Sequence, residues 1–267
     1  MWTIMLLISC SPKEQDVETP PAEPPERMVL HEIFSGSNCG PCAPAADNIA
    51  AALADHDGQY AIVEYQIGSD PYMTREAVNR RMLYLPGEES YGIPFVHADG
   101  TGFHPNDMDG EETPYSAEDF VAFAEVPTVL RITADVAFTG QTVDMDITLE
   151  PWEDIDGDNL RLMIAINENT TFANVGSNGQ TEFHNVFKKN VPDDSGTLLA
   201  PMTAGESMSY TFSHTFAGDY DEEAGYSNMV DHDTAHTVEE FDDLAVVVWV
   251  QDMDTWEVFN TTWVGHH

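Results

Sequence analysis

The period of the apolar positions changes near residue 126. Before it, short apolar runs of strand length alternate with stretches of helical spacing. Residues 28–34 (MVLHEIF) predict a strand, and 43–56, rich in Ala with Ile49 and Leu53, predict a helix. Residues 60–67 (YAIVEYQI) predict a second strand and 74–85 a helix. Asp99-Gly100 marks a hairpin turn into a short strand over 101–104, and 116–125 predict a closing helix. After residue 126 the period becomes two. Leu130, Ile132, Ala134, Val136 and Phe138 alternate with mostly polar neighbours, as do Val143, Met145, Ile147 and Leu149. The same holds for Leu160, Leu162, Ile164 and Ile166 and for 208–216; 245–250 and 256–263 complete the set, and a strand near 181–189 makes seven. Strands of this period with turn residues between them predict an antiparallel β-sandwich, and no long helix competes. An α/β unit followed by an all-β unit is the expected order of parts.

The first 27 residues follow neither pattern. MWTIMLLISC holds an apolar run too short to span a membrane, ending in Leu7-Ile8-Ser9-Cys10. That ending resembles a bacterial lipobox, in which the signal is cut before Cys10 and Cys10 carries the lipid; a buried N-terminal strand is the alternative. Residues 11–27, with Pro12, Pro20, Pro21, Pro24 and Pro25 among acidic residues, cannot bury apolar surface and predict an extended tether. The expected division is therefore 1–10 signal, 11–27 tether, 28–126 α/β domain and 127–267 β-sandwich. A lipid anchor in the bacterial cell envelope, at the outer membrane or the periplasmic face, follows from this reading. It also matches an oxidising compartment.

Charge narrows the partners. The chain has 48 acidic and 9 basic residues, a formal net charge of -39. Both sides of residue 126 share the excess, so it is no acidic tail. A nucleic-acid partner is excluded, because polyanions would be repelled.

The candidate chemistry lies in Cys39-Gly40-Pro41-Cys42, between the first strand and the first helix. Two thiols at this spacing close a disulfide across one turn, and the strand–turn–helix context makes a redox motif of a bare CxxC. A helix N-terminus lowers a thiol pKa from about 8.5 toward roughly 3.5–7.5, favouring the attacking thiolate. Cys39 is the expected nucleophile and Cys42 the resolving thiol. Two cysteines fall short of the four ligands a structural zinc takes. An inert structural disulfide remains the other alternative.

With CGPC after the first strand and Gly92-Ile93-Pro94 before a later one, residues 28–126 resemble the thioredoxin superfamily. The resemblance implies a thioredoxin-like α/β fold, a cis Pro94 packed against the cysteines, and an Ile93 backbone that pairs with an extended substrate. It implies a protein disulfide as substrate and a further redox partner. Glu32, seven residues before Cys39, stands near the family's buried acid and would take the proton of Cys42; an exposed strand carboxylate is the alternative. Asn38 replaces the tryptophan usual before the first cysteine and changes the substrate surface. The whole order of parts, with Glu182-Phe183-His184-Asn185-Val186-Phe187-Lys188-Lys189 and Gly196, resembles the Omp-twenty-eight-related outer-membrane proteins. That likeness implies an immunoglobulin-like second domain and an envelope location, and gives no reaction. A non-catalytic envelope lipoprotein that binds a partner through its sandwich is the competing reading.

Other constellations are thinner. Asp154, Asp156 and Asp158 form a loop that offers ligands to Ca²⁺ but lacks the glutamate of an EF-hand, since Ala165 stands in its place. No other cofactor is expected. The acidic 107–112 stretch, and Asp231-His232-Asp233 with His236, read as solvated loops. His97 reads as an edge or loop histidine.

Overall fold

The structure is a computed structural model that describes residues 23–84, 92–103, 115–222, 224, 229–232 and 234–265. Cys10, the 107–112 stretch and Asp233 lie outside the described residues. The chain runs β1 (Val29–Ser35), α1 (Cys42–Leu53), β2 (Tyr60–Gln66), α2 (Arg75–Tyr84), β3 (Phe95–Ala98), β4 (Thr101–Phe103) and α3 (Ala117–Ala124). It continues through β5 (Leu130–Thr139), β6 (Thr142–Pro151), β7 (Leu160–Thr171), β8 (Phe183–Asn190), β9 (Thr197–Leu198), β10 (Met208–Thr215), β11 (Leu244–Asp252) and β12 (Val258–Gly265). Pro44 fits α1 because it sits in the first turn, where an N–H has no helical partner. Ser116 and Asp119 cap α3 reciprocally.

β1-α1-β2 is a parallel β-α-β unit, with Val29 opposite Tyr60 and Ser35 opposite Gln66. β3 joins β1 antiparallel. These strands and five of the second half form one nine-stranded mixed sheet, ordered β12-β11-β7-β8-β2-β1-β3-β4 with β9 on β7. A separate antiparallel sheet holds β10-β6-β5. The two halves of the chain meet where β2 pairs with β8 in parallel, at Glu64 and Val186.

Strand alternation sorts the core into layers. Leu30, Phe34, Val63 and Tyr65 share one face with Met163 of β7 and Trp249 of β11, and Ala77 of α2 packs on it. The opposite face carries two further cores. On the β1 side, Val29 and Ile33 meet Ile49 and Leu53 of α1 and Phe120 of α3. On the β7 side, Ile164 and Val248 meet Ile132 of β5 and Ile147 of β6. The alternating residues of the second half thus fill a space between two sheets, as their period requires. The sheet also curls: Asn260 of β12 accepts from the Met28 N–H at 3.0 Å, just ahead of β1. Among the described residues, no helix is long and apolar enough to cross a membrane.

Candidate active site

β1 ends at Ser35, and the chain turns through Gly36 to Asn38 before α1. Gly36 leaves no room for a side chain: a Cβ there would lie 2.4 Å from the Ile67 carbonyl oxygen. The turn is closed by Cys39 N–H donating to Gly36 O at 3.1 Å and Cys42 N–H donating to Cys39 O at 3.1 Å. Cys39 and Cys42 are joined in a disulfide, with Cα atoms 5.3 Å apart. Cys42 is the first residue of α1 and Cys39 precedes the helix. Cys39 is 9% exposed and Cys42 1%.

The Ile93–Pro94 peptide bond is cis. Cys39 Sγ lies 3.3 Å from the Ile93 carbonyl oxygen. Pro94 and Cys42 line one cavity, between α1 and the strands. The structure therefore brings Cys39, Cys42, Ile93 and Pro94 together.

It does not bring Glu32 with them. In β1, Ile33 and Ser35 face Cys42, and Glu32 points to the opposite face of the sheet. There Arg80 of α2 grips it, Nε to Oε1 at 2.6 Å and a terminal nitrogen to Oε2 at 2.7 Å. Tyr65 and Tyr84 donate to the same carboxylate. Burial alone would raise the Glu32 pKa, but the Arg80 guanidinium outweighs it and holds the carboxyl below its ordinary value. Arg80 also donates to Gln251 of β11 at 2.6 Å, so the pair ties β1 to β11. Glu32 is a structural ion-pair residue, and the parity of the strand is the reason.

An acid that shares a cavity with Cys42 is Glu64 of β2. Its strand neighbour in register is Ile33, and it lines the cavity that Cys42 closes. Glu64 is 8% exposed and accepts from Gln66 Nε2 at 2.9 Å. Burial pushes its pKa up to about 7, against the lowering effect of hydrogen bonds from Gln66 and Ser35. A carboxyl poised there can exchange a proton near neutral pH. One sequence signal points to it: β2 carries Ala61, Val63 and Tyr65 on one face and Ile62 on the other, so both faces of the strand meet apolar surroundings and an acid inside it is a candidate for burial.

Asn38 has a definite task. Its amide donates to Ser69 O at 3.0 Å, and its oxygen accepts from Ser177 N and Oγ, both at 3.1 Å. Asn178 N–H donates to Ser37 O at 2.9 Å. Residues 172–178, from the second half, thus lie as a strap against the turn before Cys39. Glu239 holds the start of this strap by accepting from the N–H groups of Phe172 and Ala173. Gly176 lets it approach: a Cβ would meet Ser37 O at 2.4 Å.

Among the described residues, no three His, Cys, Asp or Glu side chains gather to hold a metal ion. Asp154 instead accepts from Ala204 N–H at 2.8 Å, and Asp156 and Asp158 do not converge on it as ligands. His236 Nδ1 accepts from Val238 N–H at 3.2 Å. His97 is buried in β3, with its ring stacked 3.6 Å from that of Tyr84, and belongs to the Glu32 face.

The arrangement has relatives among solved structures. The chain shares its fold with HBP35 of Porphyromonas gingivalis. The two match with a TM-score of 0.63 at 14% identity, over 90% of this chain and 75% of that one. Protein AGR_C_4864 from Agrobacterium tumefaciens matches with a TM-score of 0.54 at 12% identity, over 92% of this chain and 97% of that one. At such identities the likeness is one of fold. No family model matches the chain, and no curated protein matches its sequence. The HBP35-like fold here carries a Cys39–Cys42 pair in a CxxC motif.

Proposed function

We propose that the protein is an exported thiol–disulfide oxidoreductase built on a thioredoxin-like unit, residues 28–126, that shares its sheet with an immunoglobulin-like second unit, residues 127–267. The observation that carries the reading is the Cys39–Cys42 disulfide at the start of α1, with Cys39 Sγ 3.3 Å from the carbonyl of the residue before a cis proline.

In the reducing direction the Cys39 thiolate attacks one sulfur of a protein disulfide. That S–S bond breaks, a mixed disulfide forms, and the other substrate sulfur leaves as a thiolate. Cys42 then gives up its proton, for which Glu64 is the acceptor on the same cavity wall. Its sulfur attacks Cys39, which closes the Cys39–Cys42 bond and releases the second substrate thiolate. Two electrons pass from the dithiol to the substrate, and a separate thiol donor restores the dithiol. An oxidant partner runs the same steps in reverse, and the relative reduction potentials set the direction. The Ile93 backbone beside Pro94 is the docking edge for an extended substrate.

Lipidation at Cys10, a tether over 11–27 and a place in the bacterial cell envelope complete this reading, on the strength of the Leu7-Ile8-Ser9-Cys10 sequence. Kinship with the Omp-twenty-eight-related proteins rests on the same order of parts. The competing reading, a binding lipoprotein that uses this fold as a scaffold, draws on one feature: the strap held by Asn38 against the turn before a nearly buried Cys39. Replacing Cys42→Ser separates the two. The redox reading expects the reduced variant, challenged with a disulfide-bonded protein, to be trapped as a mixed disulfide through Cys39, visible on non-reducing gels and absent in the Cys39→Ser variant. A Cys42→Ser protein that traps nothing favours the scaffold.

A further inference from the structure

Glu64 is 8% exposed, so a proton that it takes from Cys42 has to leave the interior before the next cycle. The cavity that the two share offers a route. Its lining includes four groups that can bind or release a proton: Cys42, Glu64, Tyr60 and His184. Burial, with the Asp57 charge behind it, raises the Tyr60 pKa, and that side chain stays a phenol at neutral pH. His184 is the remaining group, and an imidazole can take up and release protons near neutral pH. Its side chain is 58% exposed, with Glu182 Oε1 3.6 Å from its Nε2. It therefore meets both the cavity and the solvent.

The backbone of β8 departs from regular geometry at this point. β8 meets β2 where Val186 pairs with Glu64, two residues beyond His184. In a regular strand His184 and Asn185 would point to opposite faces. Here both line the same cavity, and Asn185 has φ of 55°. A positive φ outside glycine is uncommon, and strain of this kind clusters at functional sites. Space and polarity also suit water between the two groups. A buried water needs roughly 10–15 Å³ and two to four polar partners. The cavity has a volume of about 260 Å³. Ser35, which hydrogen-bonds the Glu64 carboxyl, stands on its wall with Tyr60, Asn185 and His184.

We propose that His184 carries protons between Glu64 and solvent through water in this cavity. This role rests on the redox reading and extends it to a residue of the second unit. The Cys42 thiol loses its proton to the Glu64 carboxylate. The Glu64 carboxyl passes it through water to the His184 ring, and the imidazolium releases it to solvent. No electron moves in these steps, and Glu64 and His184 end as they began. His184 touches neither reacting sulfur and acts through Glu64.

The test mixes the fully reduced chain with one equivalent of dithiobis(nitrobenzoate) at neutral pH in a stopped-flow instrument. Attack by Cys39 releases one coloured thiolate, and closure by Cys42 releases the second. His184→Ala, a change at an exposed side chain, leaves the first release unchanged. It slows the second roughly tenfold, below the roughly hundredfold or more of a group that meets the reacting atom directly. Added imidazole restores the rate. In the Glu64→Gln background, His184→Ala has no further effect. A second release that His184→Ala leaves unchanged overturns the proposal and leaves the redox reading intact. So does a slowing that imidazole fails to restore, or one that persists in full in the Glu64→Gln background, either of which marks a structural role. A wild type that releases only one thiolate overturns the redox reading and the proposal with it.

Discussion

Glu64 is the residue on which stability and the proposed chemistry meet. Its pKa in the folded chain is about 7, against 4.5 when exposed. The folded state therefore holds more protons than the unfolded state between those values. Stability contributed by the neutral carboxyl is fully present below about pH 4.5 and is lost as pH rises through about 7. The ceiling on this contribution is roughly 3 kcal/mol, since one pKa unit is worth about 1.4 kcal/mol. Comparing wild type with Glu64→Gln in urea at pH 5 and pH 7.5 isolates it from other groups. The variant gains on the wild type as pH rises; parallel curves would remove Glu64 from this role. Single residues also mark the limit of what the sequence alone reveals. Cys39, Cys42, Ile93 and Pro94 are legible, because a spacing and a following proline identify them. The acid on the Cys42 cavity is harder to place, because it stands on β2 and not on the strand that leads into the CxxC turn. Counting back seven positions from Cys39 lands on Glu32, whose side chain meets Arg80 on the far face.

At the scale of elements, periodicity suffices for most of the chain. The expected strands over 28–34 and 60–67 and the helix over 43–56 match β1, β2 and α1 closely. The seven strands expected after residue 126 match β5, β6, β7, β8, β10, β11 and β12. The strap is the element that no period announces. It is an irregular loop held by side chains far apart in sequence: Asn38, Ser177, Asn178 and Glu239. The Asn38 hydrogen bonds to Ser177 are part of what holds it, each worth about 1 kcal/mol. Asn38→Ala removes the two bonds to Ser177, about 2 kcal/mol in all, and raises the open fraction roughly thirtyfold. Alkylation of Cys39 in the reduced protein, followed by mass spectrometry, speeds up by about that factor in the variant. An unchanged rate would show that the strap does not limit access to Cys39.

The whole molecule is tied together by contacts that sequence patterns cannot announce. A change of period at residue 126 marks a change of architecture, yet β2 and β8 pair across it and Arg80 joins β1 to β11. One face of the nine-stranded sheet carries a core made from both halves. A core shared in this way unfolds as a unit. Calorimetry at neutral pH gives one transition, with calorimetric and van't Hoff enthalpies equal; two resolved transitions would mean that the halves are energetically separate. The central claim is that this body holds a working dithiol. The direct measurement is the reduction potential of the Cys39–Cys42 pair, by equilibration with glutathione buffers and mass-tagging of free thiols. The redox reading predicts a value between roughly -120 and -270 mV, the range of working oxidoreductases. A value well below about -300 mV belongs to a structural disulfide and would contradict it.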